Sequence, residues 1–320
     1  MLKKINFFLL TFFFHIPLSL TYASEKGIAF ITNQESSMLD LVDLKKKKKI
    51  FEINVGKKPA AIDIDQENKI IFVANPESNN ISIYDFIKKK HFFIEAGKSP
   101  MGIILSPDKK KIFVSNWYDN SISEINLLQK KVDRVVQVGN SPAGIAIDKT
   151  QNRMFVANRE DNNVSVIDLV TLKELIKIKV EKAPFGVFTA ESNKYIFVTN
   201  VQSNSISLID KKNLKLEKNI KVGSWPYQVA FDNINKRAFV SNQRSNSISV
   251  IDLNIHENVK TLNDICEYPE GIDISYDENL VVIACWFEDN VVLLDLNDFK
   301  LINRIEMSGG PRAFGNFILD

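Results

Sequence analysis

The sequence predicts an all-β fold, a seven-bladed β-propeller with four-stranded blades. Three observations lead there. A strand-like segment recurs along the chain, a proline recurs at a near-constant offset from it, and the two ends carry complementary fragments of one unit. The segment Ile71-Phe72-Val73-Ala74-Asn75 returns at residues 112–116, 154–158, 196–200 and 238–242, with looser copies at 29–33 and 281–285. The prolines are Pro59, Pro100, Pro142, Pro184, Pro226, Pro269 and Pro311, a period of about 42 residues.

Each unit reads as four short strands of alternating, β-branched character. In the fourth unit these are Gly144–Ile147 (A), Arg153–Ala157 (B), Val164–Asp168 (C) and Glu174–Val180 (D), and helical periodicity is absent throughout. Turn clusters such as Ser106-Pro107-Asp108 and Asp161-Asn162-Asn163 separate the strands. Four strands at this period fit a blade. The chain enters at Gly27 with strands B, C and D but no A, and residues 311–318 form an A strand with no B to follow. Placing the C-terminal strand against the N-terminal blade completes seven and closes the ring.

Before the first unit, Lys3 and Lys4 precede an apolar run, Phe7 to Leu20, and Thr21-Tyr22-Ala23 offers small residues for cleavage. This is the layout of a signal peptide over 1–23, leaving a propeller over 24–320 and a periplasmic or secreted address. The run is short and broken by His15 and Pro17, which argues against a permanent anchor. The 320 residues carry a formal charge of +2. Losing Lys3 and Lys4 brings it to zero, so whole-molecule attraction to nucleic acid or membrane is not implied.

The Phe-Val-[Ala/Ser/Thr]-Asn strand, the Asn-Ser-Ile-Ser-x-Ile-Asp strand (Asn204 to Asp210, Asn246 to Asp252) and the Val-Gly-x-x-Pro link (Val55 to Pro59, Val138 to Pro142, Val222 to Pro226) resemble the YVTN-type β-propeller repeat family, which includes periplasmic YncE-like proteins. The resemblance spans the mature chain and implies the fold. It implies no single activity, since similar propellers serve as binding proteins, surface-layer components, dehydrogenase subunits, lactonases and accessory proteins of quinone-cofactor metabolism.

Seven copies separate scaffold from site. Residues present in nearly every unit answer a need of every blade: Asp43, Asp85, Asn126, Asp168, Asp210, Asp252 and Asp295 at the end of strand C, the strand-B asparagines, and the linker prolines. Departures are the candidates. In a propeller the D–A links and B–C turns share one face, the top. The residues beside each Asn and Pro are therefore expected to ring the top mouth of the channel as ligand-binding groups: Trp117, Tyr118, Arg159, Phe185, Trp225, Tyr227, Gln228, Arg244, Glu270, Trp286 and Arg312, with Phe287 beside them. The alternative is that Phe185, Tyr227 and others plug the channel.

Basic residues gather in the opposite, bottom hairpins (Lys45 to Lys49, Lys88 to Lys90, Lys109 to Lys111, Lys130-Lys131, Lys211-Lys212 and Lys236-Arg237). They read as solvated turns that protect strand edges, with nucleic acid or anionic membrane as the lesser partner reading. Cys266 and Cys285 fall at one end of one sheet, either as a disulfide or as two thiols. Beyond His15, only His91 and His256 remain, far apart in the repeat. No metal cluster, haem attachment motif or His-based triad can be assembled, so no catalytic residue and no cofactor is assigned. The function expected is that of an exported, monomeric binding module presenting its aromatic top face to a small ligand, peptide or protein. The alternatives are an accessory protein of a periplasmic quinone- or amine-dehydrogenase system and, further off, a lactonase-type hydrolase.

Overall fold

A computed structural model of the chain describes residues 26–190 and 192–320. The expected signal peptide lies outside the described residues. The rest is a ring of seven sheets, each built of antiparallel strands A to D. The A strands of neighbouring blades converge and the D strands barely touch, so A lines the central channel and D the rim. In blade IV the strands are Pro142–Asp148, Arg153–Asn158, Asn163–Asp168 and Glu174–Lys179. Two single-turn 3-10 helices, Gln243–Ser245 and Trp286–Glu288, occupy the B–C turns of blades VI and VII. No helix among the described residues is long and apolar enough to cross a membrane.

The repeated residues do the work of the scaffold. Strand-B phenylalanines Phe30, Phe72, Phe113, Phe155, Phe197 and Phe239 are all buried between blades, each contributing roughly 1.5–3 kcal/mol. The strand-C carboxylates cap the C–D turn: Asp43 accepts from Lys46 N at 2.8 Å, Asp168 from Thr171 N at 2.7 Å and Asp295 from Asn297 N at 2.8 Å. Each strand-B Asn in blades II to VI ties its own sheet together, as Asn158 does by donating to Ser165 Oγ at 2.8 Å. In blades II, III, IV and VI that Asn packs on the link glycine. A Cβ built on Gly97 would lie 2.4 Å from Asn116 Cγ, which is why the link keeps a glycine there.

Ring closure follows the expected partner but not the expected single strand. Ile318–Leu319 pairs antiparallel with Ala29 and Ile28 of blade I, whereas Phe314–Gly315 swings inward and pairs parallel with Ala61 and Ile62 of blade II. The closing segment is broken because Ala313 has φ 48° and Gly315 φ 127°, conformations that end an extended strand.

Candidate functional site

The top face is closed rather than open. Phe314 of the closing segment meets Phe185 at 5.2 Å, Tyr227 at 5.0 Å and Phe188 at 5.9 Å between ring centroids. Phe185 stacks on Tyr227 at 4.9 Å, and Trp117 lies 6.2 Å from Phe185. Rings from blades I, III, V and VI thus form one plug. Of the two arrangements the sequence leaves open, Phe185 and Tyr227 take the plug: they and Gln228 are buried, because aromatic rings at the narrow start of the A strands fill the channel by packing on one another.

Behind the plug sits a charged cluster. Arg312 Nε donates to Tyr227 Oη at 2.6 Å and lies 3.1 Å from Glu270 Oε2, while Gln243 Nε2 donates to Glu270 Oε1 at 2.9 Å. Burial pushes the Glu270 carboxyl up to about 7 against the pull of Arg312 and Gln243. Burial likewise raises the Tyr227 phenol. Arg244 covers the face of Trp225 at 3.4 Å, and Arg159 lies over Trp117 at 5.8 Å. Tyr118 and Phe287 reach solvent, 74% and 61% exposed, and Trp286 is half-buried against Phe287 at 4.7 Å.

Sequence reasoning missed Tyr268, which joins this cluster. It lies 4.9 Å from Phe287, and burial raises its phenol against the pull of the nearby Arg244 guanidinium. The signal was present: the residue before the linker proline is left-handed in every blade, and it is Lys58, Ser99, Ser141, Ala183 and Gly310 elsewhere but Trp225 (φ 57°) and Tyr268 (φ 58°) in blades VI and VII. A bulky side chain on such a residue is strained.

Below the plug the channel widens into a cavity of about 800 Å³ that opens among the A–B hairpins, with Gln66, Lys109, Thr150, Ser192 and Asn233 around it. In a propeller the free edges of the A strands face this space. Three side chains reach out of the repeat to satisfy them. Gln228 donates to the carbonyls of Ile272 and Gly315, both at 2.8 Å, and accepts from Gly315 N at 2.9 Å. Asp63 accepts from Leu105 N at 2.8 Å and from Asn316 Nδ2 at 3.1 Å. Asp273 accepts from Phe317 N at 3.0 Å and Ile318 N at 3.3 Å. Burial pushes the Asp273 carboxyl up to about 7 and raises Asp63 also, in each case against the hydrogen bonds they receive. These two aspartates take the place of Ile104, Ala146, Phe188 and Ala230 in other blades, the signal by which they were legible.

A family model described as the YNCE-like beta-propeller matches residues 14–193, 140–237 and 190–320. The chain belongs to the YNCE-like β-propeller family. Among solved structures, this YNCE-like propeller is similar to Kuenenia stuttgartiensis hydrazine synthase, with a TM-score of 0.74 at 18% identity over 86% of this chain and 93% of that one. It is similar to a functionally unknown protein from Desulfotomaculum acetoxidans, with a TM-score of 0.77 at 12% identity over 90% and 100%. Apo AztD from Citrobacter koseri gives 0.66 at 14% identity over 89% and 96%. At these identities the likeness is one of fold alone. No curated protein matches the chain in sequence.

The YNCE-like repeat also explains the cysteines. Cys266 and Cys285 are joined in a disulfide with Cα atoms 5.9 Å apart. They occupy the positions held by Gly56 and Asn75, Gly97 and Asn116, Gly139 and Asn158, and Gly223 and Asn242, the pairs that touch in four other blades. His91 packs against Phe93 at 4.6 Å and His256 against Tyr195 at 4.9 Å, both away from the channel. Among the described residues, no group of three or more His, Cys, Asp or Glu is placed to hold a metal ion.

Proposed function

We propose that this YNCE-like propeller is an exported, non-catalytic binding module that takes a small polar ligand into its channel from the A–B hairpin face. The carrying observation is the cavity of about 800 Å³ beneath the aromatic plug. That volume suits a metabolite-sized molecule, and its wall mixes strand-edge peptide groups with apolar side chains. Export is supported by the Cys266–Cys285 bridge, since such bonds persist in oxidising compartments.

A thermal-shift screen of the mature chain against metabolites tests this, with Ser192→Cys at the mouth carrying a bulky maleimide as the block. Ligand-dependent stabilisation should be present before labelling and lost after it. A shift that survives the label but disappears in Trp225→Ala would move the site to the top face.

That second reading has its own support. The exposed Phe287, the stacked Arg244–Trp225 pair and the strained Trp225 and Tyr268 suit a partner protein docking on blades VI and VII. The dehydrogenase-accessory role rests on resemblance, and co-purification of a redox enzyme from the native cell would establish it.

A further inference from the structure

Lys211 departs from the repeat more sharply than any residue around the channel. The residue following the strand-C cap is Leu44, Phe86, Leu127, Leu169, Leu253 and Leu296 in the other six blades. There an apolar side chain packs beneath the C–D turn, fully buried in Leu44, Phe86 and Leu296. In blade V the same place holds a lysine that is 8% exposed and lines the cavity. Among the described residues its ammonium makes one hydrogen bond, to the carbonyl of Ala190 at 3.3 Å. Its backbone is pinned from both sides, by N–H donation to Lys194 O at 3.1 Å and by Arg153 Nη1 donating to its carbonyl at 3.0 Å.

An ammonium has three donors, and burying it beside one distant carbonyl leaves most of its lost hydration unrepaid. None of the described carboxylates that share the cavity wall pairs with Lys211, and Glu67 is paired with Lys109. Asp63 and Asp273 receive backbone and amide donors, Asp65 is paired with Lys109 at 3.2 Å, and Asp148 turns one oxygen to Thr150 at 2.7 Å. The second Asp148 oxygen is buried and has no hydrogen-bond partner among the described residues. Arg153 holds the Lys211 backbone as its equivalent in blade VI, Arg237, holds that of Leu296, and Arg237 in addition pairs with Asp232 at 2.8 Å.

We infer that Lys211 is the anion-binding group of the channel, receiving a carboxylate or phosphate of the bound ligand. The inference rests on the channel reading above and adds the chemical class of what enters. A compact anion entering from the hairpin face supplies a countercharge that Lys211 lacks among the described residues, and charge-assisted hydrogen bonds to it are the strong kind.

The repeat itself provides the control. Lys211→Leu restores the residue of five other blades and is expected to fold with an unchanged or raised melting temperature. Glutarate and inorganic phosphate, each titrated against the mature chain at fixed ionic strength, separate the two anion sources. At least one should raise the melting temperature of the wild type and bind about ten- to a hundredfold more weakly to Lys211→Leu, with Lys45→Leu, an exposed lysine outside the cavity, keeping wild-type affinity. Equal binding by wild type and Lys211→Leu, or no response to either anion, overturns the inference. If a neutral metabolite is then still displaced by the Ser192→Cys label, the channel reading stands without it, and if nothing is displaced both fall.

Discussion

The Gln228 side-chain amide holds the Gly315 peptide by both of its groups, accepting from Gly315 N at 2.9 Å and donating to Gly315 O at 2.8 Å. It thereby joins blade VI to the closing segment of blade I across the wall of the channel. Four other blades place glycine at this step, Gly102, Gly144, Gly186 and Gly271, where a Cβ would strike the neighbouring blade: on Gly271 it would come within 2.3 Å of Ala313 O. Gln228 therefore marks where the ring is locked. Gln228→Ala removes three hydrogen bonds and should lower unfolding stability by about 1.5–3 kcal/mol. Gln228→Glu should be worse at neutral pH, because a carboxylate would face the carbonyls of Ile272 and Gly315. Urea midpoints of the three proteins check this, and an unchanged midpoint in Gln228→Ala would show that closure rests on Ile318–Leu319 alone.

How far the sequence reveals such contacts depends on whether the cause is local. The strand-C aspartates were legible as turn caps because the cap, the turn and the left-handed residue after it lie within five positions. The blade count was legible because burial between blades imposes one apolar pattern seven times. The aromatic residues near Pro184 and Pro226 were legible as a group on one face, but whether Phe185 and Tyr227 line an opening or fill it depends on Phe314, more than 80 residues away and on an inward-swung segment. The placement of the cavity on the hairpin face follows from that packing and not from any one strand. Lys211, Asp63 and Asp273 were visible as departures from the repeat, but only an alignment of the A strands and C–D turns position by position brings them out.

The disulfide offers a test in which the repeat again supplies the control. Cys266→Ala with Cys285→Ala opens a loop of about 20 residues and should cost roughly 3 kcal/mol. Cys266→Gly with Cys285→Asn instead rebuilds the pair found in blades II, III, IV and VI, with Ser absent from the strand-C position at Val292. It should recover part of the loss. Melting temperatures under oxidising and reducing conditions separate the terms, and a wild type indifferent to reductant would remove the bridge from the stability of blade VII.

Stability should peak in mildly acidic solution. Asp273 and Glu270 are pushed up to about 7 by burial, whereas the same groups in the unfolded chain lose their protons near 4. Between those values the native state holds protons that the unfolded state has released, so stability falls as pH rises toward 7. Against its burial, Asp210 is held below the ordinary carboxylate value by Asn213 N–H and the Lys194 ammonium, and Asp232 by Asn235 and Arg237. Their contribution is present above about 4 and is lost as pH falls. Asp273→Asn and Glu270→Gln should each flatten the decline on the neutral side and leave the acid limb in place. A wild type whose melting temperature climbs steadily from pH 4.5 to 7 would contradict the assignment.

The plug and the surface rings of the top face should separate cleanly under truncation. Phe314 touches three rings from two blades and is buried, so Phe314→Ala leaves a void at the centre of the ring and should cost about 3–5 kcal/mol. Tyr227→Phe keeps the ring stack but takes the hydroxyl from Arg312 Nε, leaving a half-buried guanidinium with Glu270 as its remaining partner, and should cost about 1–3 kcal/mol. Trp225→Ala removes a half-buried ring and its stack with Arg244, about 0.5–1 kcal/mol of cation–π contact. It also relieves a large side chain on a left-handed backbone, so the net change should be small. Tyr118→Ala, on the most exposed aromatic of this face, should leave unfolding unaltered. Chemical denaturation of the four variants gives the order Phe314, Tyr227, Trp225, Tyr118. If Trp225→Ala proves as damaging as Phe314→Ala, the Trp225–Arg244 pair belongs to the plug and not to a surface available for a partner.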